Sequence, residues 1–401
     1  MNKEHLRQYA RALVCRGLNI KKGQKIYLEC PVEGAELASF IVEEADKIGG
    51  GRVIVRFKSD MTENALLRAG YAENDEAEDE MMNSLAREGA AFLRIETVEL
   101  GNDESISPEL VGRKARALRE QRVRFQKVSG GVQACIADLP TASWADAVYP
   151  ELPEEERLER LWADVFTCTR SDQPDSVAAW DRYIEATGKR KELLDKKGFV
   201  RLRYVAPGTD LVMELHRNGR WQGGCMKLKD GTVYVPNIPT EEIFHAPTCD
   251  SAEGTVLSTM PLNVQGSLIK GMRLEFRKGR VVSFDADEGR EVLSELLKTD
   301  EGAAALGEVA LIAQDSPMAS MQRIFYSSLY DENASCHMAI GLAAGPKPPT
   351  DEEMRKEKLN ISAIHVDFMV GSDELSVYGD AGDGVWQPIL EKGLWSQEYL
   401  A

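Results

Sequence analysis

Two hydrophobic periods take turns over roughly the first hundred residues, and this alternation restricts the fold more than any other feature of the chain. LRQYARALVCRGL and AELASFIVEEADKI carry apolar residues at helical spacing, while KIYLEC and RVIVRF are apolar runs of strand length. NALLRAGYAE and AEDEMMNSLAREG continue as helices, and AAFLRIET reads as a further strand. Strands separated by helices imply a parallel sheet with helices on its faces. The glycines Gly49, Gly50 and Gly51 follow a helix and precede a strand, the reverse of the order in a dinucleotide-binding loop.

From Pro150 to Lys197 the chain is rich in helix formers, and PELPEEERLERLWADVF has the acidic first turn that the helix dipole favours. After Gly198 the character changes to short strands, FVRLRYV, TDLVMELH and TVYV, then LEFRKGRVVSFDAD, where KG marks a hairpin. A helical EGREVLSELL interrupts them before GEVALIAQ, IHVDFMVG and ELSVYG, and AGPKPPTDEE reads as a loop. The expected fold class is α/β, with an N-terminal domain (residues 1–195) built on a largely parallel sheet flanked by helices. Residues 196–401 are expected to form a C-terminal mixed α+β domain.

The net charge of −17 argues against a nucleic-acid partner, because phosphate binding needs clustered Lys and Arg. MNKEHLRQYARALVCRGL lacks the apolar core of a secretory signal, and no run approaches the roughly 20 apolar residues that span a bilayer, so the expectation is a cytoplasmic protein without membrane contact. Seven cysteines without a C-x-x-C pair suggest reduced thiols. Cys336 beside His337 could be a nucleophile pair, but adjacent side chains diverge, and a small buried hydrophobe is the better reading of Cys336.

Of the five histidines, His5, His216 and His245 read as solvated or structurally hydrogen-bonded. His365 and Asp367 in IHVDFMVG share one face of a strand, where either a cation or their mutual hydrogen bond would satisfy them. Glu332 and His337 in DENASCH are five apart, which fits no regular face but does fit a backbone bend. Glu308 in LGEVALI could be an outward-facing residue at a strand start, and Glu241 and Glu242 in NIPTEEIF the first turn of a helix. Together these residues offer two imidazoles and three or four carboxylates in one half of the chain, a set suited to Zn, Co or Mn. Its surplus over four ligands suggests two ions sharing a carboxylate.

NIPTEEIF, EGTV, TDEGAAALGEVALI, LYDENASCHMAIG and HVDFMVGS, in this order, resemble the motifs of the thermophilic aminopeptidase family, the aminopeptidase T, aminopeptidase S and PepS group of metallo-exopeptidases. The resemblance implies that Glu242, Glu308, Glu332, His337, His365 and Asp367 hold two divalent metal ions (Zn, Co or Mn) per chain, with Glu308 shared. It implies two domains with the metals in the C-terminal one, a homodimer around an enclosed cavity, and removal of N-terminal residues from small peptides. Metal-activated water would attack the first peptide carbonyl, and Glu308 is the expected carrier of the proton to the leaving amine.

One position departs from the family. Seven residues after His337, where the family usually has a tyrosine, stands Ala344. Loss of one such hydroxyl donor typically costs about 10²- to 10³-fold in turnover. That leaves two rivals in view, a metal-dependent hydrolase of small amides and a non-catalytic peptide- or metal-binding relative.

Overall fold

The computed structural model describes residues 2–71, 76–98, 130–264, 267–345 and 350–400, with scattered helical positions between 110 and 128. They form two compact units, Met1–Arg182 with Cys225–Pro239, and Tyr183–Gly224 with Thr240–Ala401. The chain changes unit three times, after Arg182, Gly224 and Pro239, where the sequence pattern suggests a single cut at 195/196.

In the first unit, helix α1 (Lys3–Ala12) starts at Asn2, whose side chain accepts hydrogen bonds from the Glu4 and His5 amides. Its buried Leu6, Tyr9 and Ala10 recur at the spacing of one helical face. Strands β1 (Ile26–Pro31), β2 (Val53–Lys58), β3 (Ala91–Glu96), β4 (Ala134–Asp138) and β5 (Asn237–Ile238) make one sheet, in the order β2-β1-β3-β4-β5. Every pairing is parallel, as the alternation requires. Helix α2 (Ala35–Lys47) carries the chain from β1 to β2, and α3 (Asp60–Arg68) and α4 (Glu76–Arg87) lie between β2 and β3. The interior strand β1 is buried along almost its whole length, as expected where helices cover both faces. A Cβ on Gly51 would lie 2.4 Å from the Gly23 carbonyl oxygen, so close passage of two segments accounts for that glycine.

The second unit is antiparallel. An eight-stranded sheet includes the hairpin of Arg273–Arg277 and Arg280–Asp285. Its two turn residues, Lys278 (φ 49°) and Gly279 (φ 76°), are both left-handed, as a two-residue hairpin loop demands. A second sheet holds β6 (Ile243–His245), β7 (Leu306–Leu311), β8 (His337–Gly341) and β9 (His365–Met369), in the order β6-β7-β8-β9. One face of it, with Ile243, Val309, Met338, Ile340 and Phe368, joins the same hydrophobic core as Leu202 and Phe276. The polar candidates stand on the other face.

Two local readings change in the folded chain. Glu241 and Glu242 open no helix: the Glu241 amide donates to Asn333 Oδ1 (2.7 Å), and the chain runs straight into β6. Of the segment read as a loop, residues 346–349 lie outside the described residues, and its end opens the helix Asp351–Lys356, where Thr350 accepts from the Glu353 amide and donates to its carboxylate. All seven cysteines are free thiols. No helix among the described residues is long and apolar enough to cross a membrane.

Candidate metal centre

A β-bulge aims Glu308 at the site. Leu306 pairs with Ile340 but Glu308 with Ala339, so Gly307 is the extra residue in β7. Without it, Leu306 and Glu308 would share a face. With it, Leu306 and Val309 face the core and Glu308 the opposite side, buried at 5% exposure. A carboxylate at a strand start can face outward, but Glu308 is enclosed in the sheet.

Alternation in β8 and β9 supplies the rest. His337 and Ala339 share the site face of β8, and His365 and Asp367 that of β9, with Ala339 opposite Asp367. Glu308, Ala339 and Asp367 thus form a row across three strands, with a methyl group between two carboxylates. Glu242 enters from the segment just before β6. Glu332 opens a short 3₁₀ turn (Glu332–Ala334) before β8, the backbone bend that its spacing from His337 demands.

One oxygen or nitrogen from each of Glu242, Glu308 and His337 falls within 4.8 Å of the others, and the same holds for Glu308, His365 and Asp367. The two groups share Glu308. Glu332 lies outside both groups but lines the same cleft, of about 360 Å³.

Main-chain carbonyls orient both imidazoles. His337 Nδ1 lies 3.2 Å from the Ser335 carbonyl oxygen, and His365 Nδ1 2.7 Å from that of Leu342. A carbonyl only accepts, so each Nδ1 carries the proton and each Nε2 faces the cluster. There His337 Nε2 is 3.4 Å from Glu242, and His365 Nε2 is 3.1 Å from Glu308 and 3.4 Å from Asp367.

The charges are crowded. Burial alone would lower the His337 pKa, yet its hydrogen bond to Glu242 and the surrounding carboxylates raise it to about 10. His365, likewise opposed by burial, is raised to about 11 through Asp367 and Glu308. Burial pushes up the pKa of Glu308, and it does so more strongly for Glu332, where Glu242 and Asp367 add like charge. Asp367 Oδ1, though near His365, is buried without a well-aligned hydrogen bond. Four carboxylates, one of them with an unsatisfied oxygen, and two oriented imidazoles fit a divalent metal ion.

Residues 2–395 match the thermophilic metalloprotease (M29) family. The chain belongs to that family. As an M29 metalloprotease it is a metal-dependent hydrolase acting on peptide bonds. It is 36% identical to aminopeptidase T of Thermus thermophilus and 35% identical to aminopeptidase 2 of Geobacillus stearothermophilus, over 98% of both chains in each case. The solved structure of wild-type AmpT from Thermus thermophilus superposes with a TM-score of 0.89 at 35% identity, covering 98% of this chain and 99% of that one.

Cys336, beside His337, is turned away from the cluster. Cys336 Sγ donates to the Ile312 carbonyl (3.1 Å) and accepts from the Ile312 amide (3.3 Å), on the core side of the sheet. Burial pushes its thiol up to about 12. Asn333, absent from the sequence-derived candidates, donates to the Leu329 carbonyl and accepts from the Glu241 amide, tying the turn of Glu332 to the segment of Glu242. Its signal was its place beside Glu332, which singles out no residue without the tertiary partner.

Proposed function

We propose that this metalloprotease is an aminopeptidase that releases N-terminal residues from small unblocked peptides at a centre of two divalent ions, Zn, Co or Mn. Glu242, Glu308, Glu332, His337, His365 and Asp367 would hold them, in a domain spanning most of residues 196–401. The observation that carries this reading is the pair of three-residue groups sharing Glu308. When bound, the ions supply Lewis acidity, polarising the scissile carbonyl and lowering the pKa of the attacking water.

The chain's own residues supply the remaining chemistry. The carbonyls of Ser335 and Leu342 hold the two Nε2 atoms toward the cluster. A carboxylate of the cluster would accept hydrogen bonds from the ammonium of a free N-terminus, which favours unblocked peptides. Glu308, central to both groups, is the proposed carrier of the proton that leaves with the amine as water adds across the C–N bond. The enzyme is further inferred to be a cytoplasmic homodimer.

The test is release of free amino acid by protein stripped with chelator and reloaded with Zn, Co or Mn. Expected is metal-restored release from unblocked but not N-acetylated peptides, abolished in His337→Ala and Asp367→Ala. Tight binding of two equivalents of metal without any release would sink the reading. Ala344 on the cleft wall keeps a second one alive, hydrolysis of small amides. Turnover of small amides with no release from any peptide would support it.

A further inference from the structure

The cleft has two unlike sides. Its carboxylates make one side acidic, whereas Phe244 and the segment Leu342–Gly345 make the other uncharged. Phe244 reaches the site face because it stands opposite Ala310 in β6. The segment follows directly on β8, and main-chain bonds fix it: the Leu342 amide donates to Ile364 (2.6 Å), and the Ala344 amide to Gly307 (3.0 Å). These acceptors immediately precede His365 and Glu308, so wall and cluster keep a set spacing. At its far end Gly345 is left-handed (φ 78°), and a Cβ there would sit 3.6 Å from the Phe244 ring. Small residues on one strand end thus leave space beside an aromatic ring.

We propose that Phe244 and Leu342–Gly345 form the subsite for the side chain of the substrate's N-terminal residue, that it takes large apolar side chains, and that Ala344 sets its depth. The inference rests on the aminopeptidase reading. On the N-terminal side of the scissile bond the substrate ends after one residue, which suits a cleft of about 360 Å³, near the lower bound for ligand sites. The leaving peptide, of any length, must run outward. An acidic N-terminal side chain would lie against a wall of Phe244 and Leu342–Gly345 that carries no cation or side-chain donor to pair it.

The test measures kcat/KM of the metal-loaded enzyme on unblocked dipeptides with Ala, Leu, Phe or Asp in the first position and one fixed second residue. The wild type should favour Leu and Phe over Ala by about tenfold or more, with Asp poorest. Ala344→Phe fills the subsite and should cut the Phe-to-Ala ratio by about tenfold or more, and Phe244→Ala should lower the same ratio by removing the apolar surface. Equal losses on every substrate in both variants, or altered preference only for the second residue of dipeptides, would overturn the proposal. Loss of bound metal in both variants would also overturn it, because the wall would then be part of the cluster's support. A wild type that releases no N-terminal residue under any ion would bring down the aminopeptidase reading first. By contrast, release with unchanged selectivity in both variants removes the subsite alone.

Discussion

Each imidazole at the cluster has one nitrogen fixed by a main-chain carbonyl, so the free choice lies at Nε2. With pKa values raised to about 10 and about 11, His337 and His365 carry an Nε2 proton at neutral pH in the metal-free protein. A metal ion binds only the neutral ring. Loading at pH 7 should therefore release the protons of both imidazoles, with the raised carboxyls of Glu308 and Glu332 adding to them, and affinity should climb with pH from neutrality toward 10. Calorimetry in buffers of different ionisation enthalpy measures this directly, and a proton count near zero would contradict it. Asn333→Ala removes the tie between Glu332 and Glu242, and should weaken metal affinity by about 10- to 100-fold, as loss of a supporting partner typically does. Chelator competition reads that loss, with circular dichroism to show a retained fold. At Ala344, tyrosine and phenylalanine differ by a single hydroxyl. If a donor there steadies the developing oxyanion, kcat of Ala344→Tyr should exceed that of Ala344→Phe by about 10²- to 10³-fold, and equal values would remove the role.

At the scale of the element, the cleft depends on what β8 leaves out. Ala339 stands between Glu308 and Asp367 in the row across β7, β8 and β9 and is fully buried. Ala339→Leu would push a side chain between the two carboxylates. Overpacking of this kind costs about 1–3 kcal/mol of stability. The metal content of the purified variant, read beside its denaturant midpoint, should fall more than that loss of stability explains. The bulge at Gly307 cannot be moved without turning Glu308 toward the core. Substitution there also forces a Cβ to within 2.4 Å of the Gly341 and Leu342 carbonyl oxygens. Neither feature could be read from the sequence. LGEVALI looks like an ordinary strand, and only its register against HMAIG shows which residue is extra.

Across the whole molecule, segments whose period is local were legible and partners far apart in sequence were not. The alternation of strands and helices from residue 3 to 96 gave the parallel sheet, and the KG hairpin could be read from a dozen residues. Asn333 meets Glu241 across 92 positions, and TVYV, locally like its neighbours, falls with Cys225–Pro239 in the first unit rather than the second. Because all six candidate ligands lie in the second unit, metal should protect that unit selectively. Hydrogen exchange with and without chelator should show faster exchange in β7, β8 and β9 on stripping, with β1 and β3 little changed. Uniform acceleration in both sheets would refute this. The return of Asn237–Ile238 to pair with β4 has a consequence for synthesis. A ribosome that has just finished β4 has made four of the five strands of its sheet, and the last arrives only after about a hundred more residues have emerged. Until then the outer side of β4 is an unpaired edge, the kind of surface that chaperones and aggregation compete for.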